Sequence, residues 1–301
     1  MTDPQRITMA RAVQRRQLLG SLALSAVAVQ RAMAASVEPQ AKAPRGVAVC
    51  LGSGGTHGYA HIGAIRAFQQ LGLRPKVIAG TSVGAIAGVL WAAGFDADAI
   101  EALATDSSWH EASGLRLPRL GLRRLTALQE LLDRTLGTSG IESLPVRFAA
   151  VATDLDSGRP VVLSAGPAGA VVAASSSVPI RYEPTELAGR RRVDGALSAP
   201  VPVDAARELG ADFTIAIDVA YRPYEEPVSG ITGVAFQMFH IMVNRLIDEQ
   251  IRRADFAVRL DVHATLRDEG GVAAVIRAGE RAVRENWPAL QSALAGRRRS
   301  S

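Results

Sequence analysis

The chain of 301 residues has little cysteine, histidine or aromatic content: one cysteine, five histidines and 5% aromatic residues. A single cysteine excludes an internal disulfide and a metal site built from cysteines. Cys50 lies in an apolar, strand-like run, where we expect a buried and inert thiol. No Asp, Glu or His cluster occurs at metal-ligand spacing, so neither a metal nor a cofactor is expected. The core must therefore be built mainly from Ala, Val, Leu and Ile.

The net charge is also small outside the N-terminus. The formal net charge is +5, and residues 1–34 contribute +4 of it through five arginines and one acid, Asp3. The rest of the chain is therefore nearly neutral, at +5 − 4 = +1. This balance excludes an argument from charge for a nucleic-acid partner.

The first 34 residues follow the pattern of a secretory signal peptide. Arg15 and Arg16 lie in a basic segment, residues 18–29 are apolar, and an A-x-A cleavage pattern ends at Ala34. An apolar stretch of twelve residues is too short to span a bilayer core, which needs about 20. The paired arginines predict a twin-arginine signal and export to the periplasm or medium. Residues 35–44 are expected to form a flexible lead-in. The alternative is a helical extension of a cytoplasmic protein.

The remaining sequence alternates between short apolar runs and helix-like segments. "RGVAVCLGSGG" predicts a strand and a glycine loop, "YAHIGAIRAFQQLGL" a helix, "PKVIAG" a strand and "SVGAIAGVLWAAG" a second helix. This order is typical of an α/β fold with a mostly parallel sheet. Further strands are expected at residues 146–153, 160–164, 190–193, 213–219 and 256–260, and a long helix at 233–254. The expected catalytic domain spans residues 45–285, followed by a basic tail at 286–301.

A Gly-x-Ser-x-Gly pattern stands between the second strand and the second helix, as Gly80, Ser82 and Gly84. A serine at the apex of such a turn projects its hydroxyl, and the glycines let strand and helix approach each other. Ser82 is therefore the candidate nucleophile. The structural alternative is a glycine-rich turn in which Ser82 only caps the helix.

The glycine loop "GSGGTHG" at residues 52–58 follows the first strand. Successive backbone amides in such a loop can bind an anion. The spacing fits neither a Walker loop nor the dinucleotide fingerprint, since His57 stands where the third glycine belongs. Together with a candidate nucleophile, the loop favours an oxyanion hole formed at Gly54 and Gly55.

Asp194 ends a short predicted strand and is followed by Gly195 and Ala196. An acidic residue at a strand end is suited to the rim of a parallel sheet, where ligands bind. Its alternative is an Asx-turn that only shapes the loop.

In this order, the three motifs resemble the patatin-like phospholipases, over roughly residues 45–260. The similar pieces are "LGSGGTHGYAHIGAI", "GTSVGAIAG", "VATDLDSGRPVVLSAG", "AASSSVPI" and "VDGALSAPVPVDAARELGAD", which look most like the bacterial branch related to neuropathy target esterase. The resemblance places the family's glycine-loop motif on Ser53 to Gly58. It implies a three-layer α/β/α fold of modified α/β-hydrolase type.

The same resemblance implies a catalytic Ser–Asp dyad, with Ser82 as nucleophile and Asp194 as its base. It implies hydrolysis of a phospholipid, lysophospholipid or related ester through an acyl-serine intermediate, with contact to a membrane surface. Two alternatives stay open: an esterase of soluble esters with a histidine base, for which His110 and His263 are candidates, and a non-catalytic lipid-binding protein on the same fold.

Two departures from the family bear on specificity. His57 stands where many members have Arg or Lys, which puts the head-group preference in question. Residues 180–182, Ile-Arg-Tyr, replace the usual small residue and Phe near the acyl channel.

Residues 109–125 interleave basic and apolar side chains, and Pro118 and Gly121 favour a surface cover over an interfacial helix.

Overall fold

A computed structural model describes residues 46–106, 125–137, 139–220, 222, 228–262, 265 and 269–297. The expected export signal and lead-in lie outside the described residues, as do His110, His263 and all of the 109–125 segment except Leu125.

The described residues form one sheet of eight strands, whose order is β5-β6-β3-β2-β1-β7-β8 with β4 paired to β3. Strands β1, β2, β3, β7 and β8 pair in parallel, and β4, β5 and β6 pair antiparallel. The mostly parallel sheet is therefore confirmed. The strands are β1 Val47–Leu51, β2 Val77–Thr81, β3 Arg147–Asp154, β4 Pro160–Leu163, β5 Thr185–Leu187, β6 Arg190–Asp194, β7 Phe213–Asp218 and β8 Phe256–Arg259.

Helices precede or follow most strands. Within the described residues they are α1 Tyr59–Gln70, α2 Val83–Ala92, α3 Ala97–Thr105, α4 Thr126–Leu136, α5 Ala168–Ser176, α6 Val203–Glu208, α7 Gly230–Ile251 and α8 Gly271–Arg297. The expected long helix at 233–254 is α7, which begins and ends three residues earlier. No helix within these ranges combines the length and apolar character needed to cross a membrane.

Alternate residues of β1 face two separate cores. Val47, Val49 and Leu51 belong to the larger core, which packs against α1 to α5 and α8. Ala48 and Cys50 belong to the smaller core, which packs against α6 and α7. Because successive side chains of a strand point to opposite faces, the sheet lies between two helical layers. The three-layer architecture is confirmed.

Helix α8 extends past residue 285, where the domain boundary is expected. It runs without interruption to Arg297, and Leu290 and Leu294 are buried in the larger core. Upstream, Gly279 packs so closely on α1 that an added Cβ would lie 1.9 Å from the carbonyl oxygen of Ala60. Packing therefore continues into the expected basic tail, because Leu290 and Leu294 lie four residues apart on one face of the helix.

The ends of β2 and β6 meet on β3. Strand β2 pairs with β3 as far as Thr81 opposite Val151, and β6 reaches β3 with Asp194 opposite Ala152. The two strands run in opposite directions along β3, so their final residues arrive at neighbouring positions. This topology brings the residue after Thr81 next to Asp194.

Candidate active site

Ser82 occupies a strained turn between β2 and α2. Its backbone has φ 56° and ψ −123°, and its side chain is buried. A positive φ at a residue other than glycine costs about 1–3 kcal/mol and persists only when surrounding contacts enforce it. The structure thus has the strand–turn–helix context expected of a nucleophile elbow.

Gly80 and Gly84 allow the tight packing around this turn. A Cβ on Gly84 would lie 2.1 Å from the carbonyl oxygen of Leu51, and one on Gly80 would lie 2.5 Å from the carbonyl oxygen of Gly84. Both distances are shorter than real Cβ contacts, so any larger residue would displace α2 from the sheet. Because neither glycine has a side chain, α2 and the sheet can approach each other closely enough to hold Ser82 in this turn.

The Asp194 carboxylate accepts a hydrogen bond from the Ser82 hydroxyl, with 2.7 Å between Oγ and Oδ2. Its other oxygen, Oδ1, accepts from the backbone N–H of Ala196 at 2.8 Å. Position 195 has room only for glycine, because an added Cβ would lie 2.1 Å from the carbonyl oxygen of Val151. Each oxygen of the carboxylate is thus held in place.

Burial changes the acidity of this carboxyl group. Asp194 is 1% exposed, and desolvation raises its pKa from 3.8 to about 6, against the opposing hydrogen bonds from Ser82 and Ala196. A buried carboxylate with a raised pKa is a stronger base than one in water. At neutral pH the group is largely ionised and can accept a proton from the hydroxyl beside it.

The glycine loop lies beside Ser82 and is anchored by its backbone. The amide of Ser53 donates to the carbonyl oxygen of Pro200 at 2.8 Å. Gly55 adopts φ 55°, and Gly54 packs against Val219, where an added Cβ would lie 2.7 Å from the Val219 side chain. Among the described residues, no carbonyl oxygen accepts a hydrogen bond from the backbone amide of Gly54 or Gly55. Both amides are available to an incoming oxygen atom.

Gly58 lets the loop approach the helix that follows Ser82. A Cβ on Gly58 would lie 2.0 Å from a methyl carbon of Val83, the residue that begins α2. The predicted supporting glycines therefore act through close packing of the loop and the elbow.

Three histidines fall within the described residues. His61 is fully buried, burial lowers its pKa to about 4, and its Nε2 donates to the carbonyl oxygen of Gly52 at 2.7 Å. His57 and His240 line the cavity that contains Ser82. The hydrogen bond of the Ser82 hydroxyl goes to Asp194 and to none of these three.

Ser82 and Asp194 lie in a cavity of about 500 Å³. The glycine loop forms one wall and α7 forms another, with Phe236, Phe239 and Val243 supplying apolar surface. Such a volume and lining suit an elongated, partly apolar ligand. No group of three or more His, Cys, Asp or Glu residues that could hold a metal occurs in the parts of the chain that the structure describes.

Ser175 is a residue that the sequence analysis did not single out. Its hydroxyl accepts from the backbone N–H of Ser82 at 2.9 Å and donates to the carbonyl oxygen of Val151 at 2.6 Å. The strained turn is thus tied to β3 by a side chain from α5. The segment "AASSSVPI" contains this residue, but the sequence alone does not show which of its three adjacent serines points towards Ser82.

Comparison with protein families identifies the region that contains these motifs. A family model described as "Patatin-like phospholipase" matches residues 49–207. This match covers more than half of the chain and includes Ser82, Asp194 and the glycine loop from Gly52 onward.

Curated relatives match a similar share of the chain. An uncharacterised NTE family protein of Mycobacterium bovis is 36% identical over 176 residues, 58% of this chain and 49% of the relative. "Lysophospholipase nte1" of Aspergillus fumigatus is 32% identical over 183 residues, 58% of this chain and 12% of the relative. The chain spans about half the length of the mycobacterial relative. Among solved structures, VipD from Legionella pneumophila aligns with a TM-score of 0.47 and 13% identity, over 81% of this chain and 67% of that one.

Proposed function

The chain belongs to the patatin-like phospholipase family, and from this membership we propose that it is a serine hydrolase of lipid acyl esters, with Ser82 as nucleophile and Asp194 as base. The observation that carries the proposal is the 2.7 Å hydrogen bond between the Ser82 hydroxyl and the Asp194 carboxylate. The base acts on the serine directly, without an intervening histidine.

In the first half of the reaction, the Ser82 oxygen attacks the ester carbonyl carbon while Asp194 takes the hydroxyl proton. The carbonyl oxygen becomes an oxyanion, which the amides of Gly54 and Gly55 stabilise. Collapse of the tetrahedral intermediate breaks the ester bond, and Asp194 returns its proton to the leaving alcohol. The acyl group is then bound to Ser82.

In the second half, a water molecule replaces the alcohol. Asp194 takes one proton from the water as it attacks the acyl carbon, and the oxyanion forms again between the same amides. Collapse releases the fatty acid, and the proton returns to the Ser82 oxygen. Each donor of an oxyanion hole typically contributes about 2.7–4 kcal/mol to transition-state stabilisation. The two glycine amides therefore supply much of the rate enhancement.

The decisive experiment combines covalent labelling with hydrolysis of a lysophospholipid. A fluorophosphonate probe should label the wild-type protein at Ser82 and leave Ser82→Ala unlabelled. Asp194→Asn should lose hydrolysis, whereas the five single His→Ala variants should retain it. Loss of activity on removing one histidine, with Asp194→Asn still active, would favour the histidine-dependent esterase. A folded wild-type protein that is neither labelled nor active would support the non-catalytic alternative.

A lipid substrate is supported by the outer face of α7. This helix contributes Phe236 and Phe239 to the cavity, and its solvent side exposes Ile231, Met238 and Met242 by 91%, 58% and 62%. Apolar residues spaced along one exposed helix face are typical of contact with a lipid surface. We therefore include membrane contact beside the cavity mouth in the proposed function.

We further propose that residues 1–34 direct export through a twin-arginine route, on the strength of their charge and hydropathy pattern. Replacing Arg15 and Arg16 by lysines should leave the precursor in the cytoplasm. Unchanged export of the Lys-Lys precursor would rule out this route.

A further inference from the structure

Arg181 lines the same cavity as Ser82 and Asp194. Among the described residues that line this cavity, Arg181 is the only lysine or arginine. The Asp194 oxygens are already bound by Ser82 and Ala196, and no ion pair with an acid within the described ranges involves Arg181. The cavity therefore contains a permanent positive charge that forms no ion pair with an acid among the described residues.

The Arg181 side chain is half-buried, and its Nε atom is buried without a hydrogen-bond acceptor among the described residues. An arginine donor that loses water without gaining a protein partner is destabilising, and native proteins keep few such groups. The Arg181 side chain lines the cavity, where the oxygens of a ligand can accept hydrogen bonds from the exposed part of the guanidinium. Anions with two or more oxygens fit best, because the planar guanidinium binds carboxylate and phosphate through parallel hydrogen bonds.

The backbone around Arg181 is specially shaped. Ile180, the preceding residue, has φ 74°, a value that is a genuine outlier for a β-branched residue. The amides of Arg181 and Tyr182 both donate to the carbonyl oxygen of Val178, and Tyr182 is buried. The strained turn is thus fixed on both sides, and it directs Arg181 into the cavity rather than to solvent.

We propose that Arg181 forms an anion subsite in the active-site cavity, which binds the head-group phosphate of the acyl-ester substrate. This inference rests on the proposed lipid hydrolase function and names its substrate class, the phosphate-bearing acyl lipids. Position 57 cannot supply a permanent charge, since it is a histidine in this chain. Arg181, in the segment that follows α5, supplies that permanent positive charge instead.

The first test compares two soluble substrates with the same acyl chain, lysophosphatidylglycerol and monoacylglycerol, below their micelle concentrations. Arg181→Gln should raise the KM for the lysophospholipid by about tenfold or more, since a charge-assisted bidentate contact is lost. Its kcat/KM for the monoacylglycerol should stay within about twofold, because a neutral head group has no charge to pair with arginine. Arg181→Lys should recover part of the KM, because lysine keeps the charge without the fork.

Arg245→Gln is the matched control, since Arg245 lies exposed on α7 and does not line the cavity. It should leave both substrates unaffected. Equal changes for both substrates in Arg181→Gln, or no change for either, would overturn the inference.

A binding arm keeps the test independent of catalysis. In Ser82→Ala, calorimetry with glycerophosphoglycerol, the deacylated head group, should show binding that Arg181→Gln abolishes and Arg245→Gln retains. Inorganic phosphate serves as the comparison for a free-anion site. Binding of inorganic phosphate without binding of the head group would overturn the assignment to a lipid. Wild-type protein that binds the head group through Arg181 but hydrolyses neither ester would overturn the proposed hydrolase function instead.

Discussion

Replacing Asp194 by asparagine should stabilise the protein while abolishing its activity. The carboxyl group is 1% exposed, and its burial raises the pKa from 3.8 to about 6. Keeping this group ionised in the folded state therefore costs free energy. A shift of about 2 pKa units corresponds to roughly 3 kcal/mol, an upper bound for the gain. Asparagine removes the charge; its oxygen can still accept from the amide of Ala196, and its NH2 group can donate to the Ser82 oxygen.

The pH dependence follows from the sign of the pKa shift. Between pH 4 and 6 the folded state binds more protons at Asp194 than the unfolded state does, so wild-type stability falls as the pH rises through this window. Below it, a protonated Asp194 and an asparagine are nearly equivalent. The stability advantage of Asp194→Asn should therefore be small near pH 4 and approach its full value by about pH 7.

Urea unfolding of both proteins across this range measures the effect. Asp154→Asn is the matched control, because Asp154 is also buried but is bound by Arg190 and Arg192, and its pKa lies well below its usual range. That substitution should destabilise the protein at neutral pH, with the difference shrinking in acid. A stability difference between wild type and Asp194→Asn that does not change with pH would refute the assigned cost of burial.

Three further outcomes are expected. Ser175→Ala should lower kcat by about tenfold with little change in KM, measured on a soluble ester, because a buried amide without its acceptor costs about 1–3 kcal/mol and loosens the elbow. Arg181→Gln should raise the pKa of His240, followed by NMR titration, since burial and, after it, the positive charge of Arg181 lower that pKa. Glutamates at Met238 and Met242 should reduce vesicle binding in a flotation assay, while Leu155→Glu, another exposed apolar site, should not.

The sheet and the two central motifs could be predicted because their signals are local. A strand that ends in glycine and continues as a small-sided helix indicates the elbow at Ser82, and strict close packing at Gly84 makes that signal specific. The bounds of β3, β6 and β7 differ from the expected ones by one residue. Hydrophobic periodicity, which sets these elements, is read directly from neighbouring residues.

Contacts between distant segments could not be predicted in this way. The Ser175 side chain reaches Ser82 across 93 positions of sequence, and Arg181 enters the cavity because of a strained backbone at Ile180. Neither property has a periodic pattern. The packing of α8 beyond residue 285 is a similar case: arginines dominate the composition near residue 297, whereas the burial of Leu290 and Leu294 depends on contacts with distant segments.

Because β2 and β6 meet on β3, the distance between Ser82 and Asp194 depends on the register of these strands. Sliding β6 by one residue along β3 would turn the Asp194 side chain to the other face of the sheet and move it by about 3.3 Å. Labelling of Ser82 by an activity-based probe would then report whether the hairpin before Asp194 has paired correctly. In a refolding experiment, labelling of Ser82 would therefore detect an error of one residue in the register of β6 along β3.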